Sequence, residues 1–336
     1  MPDEFAPRKL ARRTLTIVAV LVVAGLVLLL APGLGSVRDQ LGDAKPGWIA
    51  LAVGLEAMSC VSYVLMFRPI FCRNMPWRTS WEIGLAELGA GSIVPASGAG
   101  GLALGAWILR AGGMPSARIA SRSVAFFLIK SSVNFVAVFV LGTLMALGVG
   151  PHQSLWLTAV PAAAAAAVIA AVLVVPRLGV PTAPEDHVSR LRKAWWHARK
   201  ALVGGTGEAV QILRSRELLV ITGSVGYWAW DNAVLWATFH AFGFSPPLTV
   251  ILMGYLIGQL GGLLPLPGGL GGIDGGLIGT LIVYGTPAAT TAAAVLAYRV
   301  VLFWLPLLAG AIAFTSLRRG LNSPDRPELC VVPAAT

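Results

Sequence analysis

Apolar runs long enough to cross a lipid bilayer recur along the whole chain, and they restrict its fold more than any other feature. Hydrophobic residues make up 56% of the 336 residues and charged residues only 12%, about half the charged share of a soluble domain. Backbone groups inside a bilayer find no water, so a spanning run must satisfy its own hydrogen bonds as a helix. The sequence therefore predicts an all-α polytopic membrane protein.

Eight apolar segments divide into full spans and broken segments. About six full spans are predicted, at 14–34, 47–67, 123–149, 154–176, 218–243 and 288–316. The other two segments, 80–110 and 248–285, each contain a stretch rich in Gly and Pro. As one helix the first would be about 46 Å long, against a hydrocarbon core of about 30 Å, which is too long for one crossing and too short for two. We predict that each broken segment forms a re-entrant hairpin of two half-helices.

The basic residues favour hairpins over single crossings. If both broken segments return to the side they enter from, 21 of the 25 Lys and Arg residues face the cytoplasm, and only Arg38 and Lys45 fall outside. If both segments crossed once, the loops 110–122 and 177–217 would carry eleven basic residues to the outside. The charge bias therefore predicts cytoplasmic N- and C-termini and a multi-pass protein of the cytoplasmic (inner) membrane. It also accounts for the net charge of +10, so we expect no nucleic-acid partner.

Two membrane repeats are predicted, 14–149 and 154–317, between a basic N-terminus (1–13) and a disordered tail (318–336). The order span, span, hairpin, span occurs in each repeat, and the three crossings of the first repeat turn the second repeat upside down. Pro95 and Pro265 stand 170 positions apart at matching breaks, so the sequence suggests an inverted-topology repeat, which is typical of secondary transporters. Coincidence among helices rich in Gly and Ala stays open as the alternative.

The loop 177–217 holds the basic stretch HVSRLRKAWWHARKALV. Its apolar residues recur at helical spacing on one face: Val188, Leu191, Trp195, Ala198 and Leu202. The pattern predicts an amphipathic helix on the inner leaflet, attracted by anionic lipid. A solvated loop that only fixes orientation is the alternative.

Half-helix tips in the two hairpins are the first candidate for a binding site. Irregular backbone at membrane depth is tolerated only where it is buried in protein or lines a polar cavity. Free N–H groups and the helix dipole at a half-helix start favour an anion, and glycine lets a headgroup approach the backbone. The candidate residues are Gly98, Gly100 and Gly101 in the first hairpin and Pro265, Pro267, Gly268, Gly269 and Gly271 in the second. Close helix packing through GxxxG spacing is the alternative explanation of the glycines.

Ionisable residues within the apolar segments are the second candidate for a binding site. A charge at membrane depth costs free energy, and such residues typically mark a functional site. We expect Glu56 to accompany Lys130, and Asp231 to accompany Arg299, with Asp274 near the second hairpin tip. In this hypothesis the cations hold a lipid phosphate while the carboxylates balance a proton or an amine. Structural ion pairs are the alternative. The sequence contains no pattern typical of a metal site, a cofactor or a nucleophilic catalyst, so none is predicted.

The stretch LLPLPGGLGGIDGGLIGTLIVYG, with the later AVLAYRVVLFWLPLLAGAIAF, resembles the flippase-like transmembrane region of lysylphosphatidylglycerol synthases. The residues that carry the resemblance are Pro265, Pro267, Gly268, Gly269, Gly271, Asp274, Arg299, Pro306 and Gly310. The family usually has glutamate where Asp274 stands. In two-part relatives a soluble C-terminal domain transfers the amino acid, and we expect this chain to be a free-standing member without it.

The resemblance implies movement of a phospholipid or lipid-linked molecule between leaflets, and a non-enzymatic protein is expected. Membrane lipids, in particular anionic headgroups, are the predicted partners. The alternative is a scaffold or regulatory subunit that binds a lipid-modifying or envelope-modifying enzyme and transports nothing. A membrane-embedded transferase is disfavoured because the chain lacks a catalytic constellation. The sequence does not identify the lipid or the oligomeric state.

Overall fold

A computed structural model of the chain describes residues 39, 41–93, 99–150, 154–179, 189–260 and 271–321. These residues are almost entirely helical, and no strand occurs among them. The ten α-helices of the described part are α1 (Pro46–Phe71), α2 (Trp77–Ile93), α3 (Ala99–Ala111), α4 (Ser116–Ala146), α5 (Leu155–Val174), α6 (Arg190–Arg214), α7 (Leu218–Ala241), α8 (Leu248–Gly258), α9 (Gly272–Val283) and α10 (Ala288–Leu321).

Four of the described helices are long and apolar enough to cross a membrane. They are α1, α4, α5 with its 3-10 extension to Leu178, and α10. They agree with four of the predicted spans, and the all-α polytopic class is thereby confirmed. The predicted span 218–243 also forms one helix, α7, but its aromatic and polar residues lower its hydropathy and it is not among these four. The predicted span 14–34 lies outside the described residues, so the count of six stays a prediction.

Each broken segment folds into two short helices, as its composition predicts. The arms α2, α3, α8 and α9 contain 17, 13, 11 and 12 residues. Their lengths of about 17 to 25 Å fall below the thickness of a hydrocarbon core. The predicted breaks at Pro95 and Pro265 lie outside the described residues.

The two arms of each broken segment pack against each other in antiparallel fashion. Gly254 and Gly258 of α8 face Leu281 and Leu277 of α9, so one arm rises as the other descends. In the first segment Glu87 of α2 lies against α3 in the same manner. Both segments are therefore helical hairpins whose ends open on one side, although their re-entrant position in a bilayer stays a prediction.

The helices α1 and α7 form the antiparallel centre of the molecule. The backbone N–H of Lys45 donates to the carbonyl of Ala241 (2.9 Å), which joins the start of α1 to the end of α7. At the other end Arg73 pairs with Glu217 at 2.9 Å. The first hairpin follows α1 and the second follows α7, so the two hairpins open toward opposite ends of this pair. The arrangement is the one an inverted repeat would have, and the repeat itself remains a prediction.

Buried apolar side chains form two clusters, one toward each hairpin opening. The first packs α1 and α4 against the α2–α3 hairpin around Phe67, Phe126 and Ile108. The second packs α7 and α10 against the α8–α9 hairpin around Phe239 and Ile251. On α1 the polar residues between these clusters line a cavity, which is where the buried charges of the chain meet.

Candidate functional site: a polar cavity between the two halves

A cavity of about 1200 Å³ lies between the first half of the described chain, which contains α1 to α4, and the second half, which contains α5 to α10. Most of its wall is apolar, with side chains from α4, α5 and α7. Polar and charged groups enter it from α1, α2, α4, α7 and the end of α8: Glu56, Ser59, Tyr63, Glu87, Lys130, Asn134, Tyr227, Asp231 and Gln259. An apolar chamber with a few converging polar groups is the usual form of a small-molecule site.

Asp231 of α7 accepts hydrogen bonds from two tyrosines of the second half. The hydroxyl of Tyr298 on α10 donates to Oδ1 at 2.9 Å, and the hydroxyl of Tyr255 on α8 donates to Oδ2 through a short hydrogen bond. Asp231 is 7% exposed and both tyrosines are buried. Two hydrogen-bond donors favour the charged form of a buried carboxyl, so Asp231 is suited to remain ionised.

Glu56 of α1 faces Asp231 across the central helix pair and is poorly compensated. It is 5% exposed, and the thiol of Cys60, one turn further along α1, approaches Oε1 at 3.8 Å. The Oε2 atom is buried and has no hydrogen-bond partner among the described residues. A thiol is a weak donor, so its contact offsets little of the cost of burying a charge.

Lys130 of α4 lies between two aromatic rings. Its Nζ atom is 5.8 Å from the ring centre of Tyr63 and 5.7 Å from that of Tyr227, within the range of cation–π attraction. The carboxylates of Glu87 and Asp231 also attract it electrostatically. No salt bridge within 4.0 Å joins Lys130 to a carboxylate in the described part of the chain. The ammonium can therefore still donate to a ligand in the cavity.

Glu87 of α2 packs against α3 of the first hairpin and reaches the cavity, where it interacts electrostatically with Lys130. Gly101 and Gly105 of α3 make room for it, because a Cβ built at Gly105 would lie 2.6 Å from Glu87 Oε2. Glu87 is 2% exposed, and neither carboxylate oxygen has a hydrogen-bond partner among the described residues. The glycines of this hairpin thus serve the placement of a buried carboxylate as well as close packing.

Asp274 and Arg299 pair with each other at the start of α9. Arg299 Nε lies 2.5 Å from Asp274 Oδ1, and both side chains are mostly buried. The other oxygen, Oδ2, accepts the backbone N–H of Gly271, which has a φ of 83° and caps α9. Asp274 therefore neutralises the helix start from within the chain and ties the second hairpin to α10. The expected partner of Arg299 was Asp231, whereas its ion pair is with Asp274.

The predicted site residues divide into three groups. Those that line the cavity are Glu56, Lys130, Asp231 and Gly101. Gly100, Gly271, Asp274 and Arg299 lie in or beside the hairpins without being part of its wall. Gly98, Pro265, Pro267, Gly268 and Gly269 lie outside the described residues. A substrate-binding role stays a prediction for all thirteen.

Sequence reasoning left out part of the polar lining. Glu87 has no matching acid in the second half of the sequence, and the tyrosines carry no charge that would mark them in an apolar segment. Helical spacing contains a signal for two of them, because Tyr227 precedes Asp231 by one turn and Tyr63 follows Glu56 by two turns on α1. Tyr255 reaches Asp231 only through tertiary packing, which no spacing predicts.

The helical bundle and its cavity define an integral membrane protein in which polar groups from both halves line a largely apolar cavity. Residues 16–310 match the family of the lysylphosphatidylglycerol synthase transmembrane region. The chain belongs to this family, and the resemblance stated from the sequence is confirmed.

Three membrane proteins of Methanothermobacter thermautotrophicus, each named UPF0104 membrane protein, are similar to this chain. One is 23% identical over 324 residues, which cover 89% of this chain and 93% of the relative. The others are 41% identical over 91 residues and 31% identical over 94 residues. Those two matches span about a quarter of each relative's length, 26% and 28%. The shared name agrees with a membrane protein and states no substrate.

Proposed function

We propose that the protein is a flippase-like transporter of the cytoplasmic membrane that moves a phospholipid or lipid-linked molecule between leaflets. The observation that carries this proposal is the polar cavity, to which both halves contribute charged groups within apolar helices. Buried ionisable residues in a membrane protein typically mark a substrate or ion pathway. Membership of the family of the lysylphosphatidylglycerol synthase transmembrane region supports the same function, because the sequence resemblance implies a flippase-like role for that region.

The cavity has the chemistry to hold a polar headgroup inside an apolar shell. Lys130 offers N–H donors to a phosphate, and its position between Tyr63 and Tyr227 fixes the ammonium without neutralising it. Glu87 and Asp231 can accept hydrogen bonds from an amine or hydroxyl of the same headgroup. The apolar wall from α4 and α5 suits the acyl chains. Anionic and zwitterionic phospholipids are therefore the proposed substrate class.

A vesicle assay with labelled lipid tests the proposal. The full chain is reconstituted into liposomes that contain a phospholipid with a fluorescent headgroup, and dithionite is added outside. Protein-free vesicles keep the inner-leaflet label protected. The protein is expected to expose that label to reduction. Protection equal to that of protein-free vesicles would contradict transport and favour the scaffold hypothesis.

The variant Lys130→Met tests whether the cavity performs the transport. Loss of one charge-assisted contact costs about 1.5–3 kcal/mol, so translocation is expected to slow by about 10- to 100-fold. Arg118→Met is the matched control, because it removes a cation from the same helix outside the cavity wall. Equal rates in both variants and the unmodified protein would place the lipid path elsewhere.

A further inference from the structure

We infer that the Glu56–Asp231 pair is a proton-binding site in which Glu56 carries the proton and Asp231 stays ionised. The proposed transport gives Asp231 a contact with the headgroup but assigns no proton to either residue. Binding of the proton itself does not depend on lipid transport. Any coupling between proton binding and lipid transport rests on the proposed function.

Two carboxylates meet at the centre of the molecule because α1 and α7 pair in antiparallel register. Ser59 Oγ donates to the carbonyl of Tyr227, which sets Glu56 opposite Asp231 one turn away. Both groups are buried, and their negative charges are close enough to repel each other. Two adjacent buried carboxylates cannot both ionise without a large electrostatic cost, so one proton is favoured between them.

The surroundings of the pair decide which residue holds the proton. Asp231 accepts hydrogen bonds from Tyr255 and Tyr298, and the charges of Lys130 and Arg299 attract it. Glu56 receives only the long contact from the Cys60 thiol, and its Oε2 atom is unpaired among the described residues. The asymmetry leaves Asp231 stabilised as an anion and Glu56 as the acid.

Charged and titratable groups from six helices surround the pair. With every carboxyl group ionised, the net charge of this cluster is negative. These groups in the described part of the chain are Cys60 and Tyr63 on α1, Glu87 on α2, Lys130 on α4, Tyr227 on α7, Tyr255 on α8, and Tyr298 and Arg299 on α10. Arg299 pairs with Asp274 and also attracts Asp231, and Lys130 lies on the cavity wall with three carboxylates, Glu56, Glu87 and Asp231, so negative charge is in excess. A proton on Glu56 reduces this excess and lowers the repulsion that a lipid phosphate would meet.

Infrared difference spectroscopy on the full chain in lipid vesicles tests the inference. A protonated carboxylic acid has a carbonyl stretch that a carboxylate lacks, and the band shifts in heavy water. At neutral pH the unmodified protein is expected to show this band. Glu56→Gln is expected to remove the part of the band that belongs to Glu56, and the difference between the two spectra separates it from any contribution of Glu87, whose oxygens also have no hydrogen-bond partner among the described residues. Glu82→Gln, which changes a glutamate already bonded to Arg78 and Ser316, is expected to retain it.

If Glu56→Gln does not fold, a second variant tests the inference. Cys60→Ala removes the thiol contact and is expected to shift the frequency of the band without abolishing it. Absence of the band in the unmodified protein, an identical band in Glu56→Gln or an unchanged frequency in Cys60→Ala would each overturn the inference. None of these readouts measures lipid translocation, so failure of the proton site and failure of the proposed transport remain distinguishable.

Discussion

At the scale of single residues, Asp274 makes an ion pair and caps a helix with the same side chain. Its two oxygens hold Arg299 and the amide of Gly271, so the carboxylate that sequence reasoning assigned to a substrate is occupied by the protein itself. The family motif around Asp274 accordingly includes at least one residue whose role in the described structure is to fix a hairpin to its neighbouring helix.

The first prediction concerns the stability of this ion pair. Arg299→Ala leaves Asp274 buried without its cation and is expected to cost about 3–5 kcal/mol. The double variant Arg299→Ala/Asp274→Ala removes both charges and is expected to be less destabilised than Arg299→Ala alone, although it also loses the helix cap. Thermal unfolding in detergent, followed by circular dichroism, measures the order. Strictly additive losses would show that the two side chains do not stabilise each other.

At the scale of helices and hairpins, glycine has two different roles in α9. A Cβ built at Gly276 would lie 2.7 Å from the carbonyl oxygen of Gly258, so the two arms touch through their backbones there. Gly275 and Gly279, which are at GxxxG spacing, have nothing within 4 Å of such a Cβ. Close packing of the second hairpin therefore uses the face of α9 that carries Gly272 and Gly276, which are also at GxxxG spacing, and leaves the face of Gly275 and Gly279 open.

The second prediction compares two Gly→Ala variants of α9. Gly276→Ala forces the arms apart and is expected to lower the unfolding temperature, because backbone cannot yield as a flexible side chain does. Gly279→Ala is the matched control and is expected to be neutral, or stabilising by up to about 1 kcal/mol through helix propensity. Equal unfolding temperatures, again measured in detergent, would contradict the close approach of the arms.

The helix α6 has an exposed face that agrees with its amphipathic pattern. Leu191, Trp195 and Leu202 are 84%, 71% and 47% exposed, while further along the helix Glu208 pairs with Arg122 of α4 at 2.9 Å. The second half of α6 is thus anchored on the bundle, and its first half presents apolar side chains flanked by basic ones. This geometry is compatible with the predicted contact to the inner leaflet, which remains a prediction.

The third prediction tests that contact. A spin label at Leu191→Cys is expected to relax faster with oxygen, which partitions into lipid, than with a water-soluble nickel chelate when the vesicles contain anionic lipid. A label at Arg199→Cys, on an exposed charged position of the same helix, serves as the control. Equal access of the chelate to both positions would favour the solvated loop instead. Cys60 and the other native cysteines are replaced beforehand.

At the scale of the whole molecule, the antiparallel centre determines where the hairpins open. The end of α1 lies beside the start of α7 through Arg73 and Glu217, so the first hairpin opens at that end and the second at the other. The basic residues Arg110 and Arg122 lie at the first opening, where the positive-inside bias predicts the cytoplasm. Opposed openings would give alternating access a structural basis, with the cavity between them.

The fourth prediction is the sidedness of the two openings. Ala111→Cys, at the end of the first hairpin, is expected to react with an impermeant maleimide only from the cytoplasm. Ala288→Cys, just beyond the second hairpin, is expected to react only from outside. Both positions are exposed and avoid Gly285, whose φ of 96° disfavours a side chain. Labelling of both positions from the same side would contradict the inverted arrangement.

Much of the architecture could be predicted because the bilayer imposes strict rules on length and composition. Apolar runs longer than the hydrocarbon core predicted α1, α4, α5 and α10, and glycine and proline within 80–110 and 248–285 predicted paired short helices. The site was less predictable. Glu56, Lys130 and Asp231 stood out as charges in apolar segments, whereas their partners depend on how helices far apart in sequence are rotated toward one another.

The sequence by itself determined that the chain is a polytopic helical membrane protein with two hairpins, because hydropathy, charge bias and helix breakers act locally along the chain. Only the tertiary structure decided that Arg299 binds Asp274, that two tyrosines hold Asp231, and that Glu56 is left nearly uncompensated beside it. Ion pairs and hydrogen bonds are set by the register and rotation of packed helices. These are properties of the bundle as a whole, which no single segment specifies.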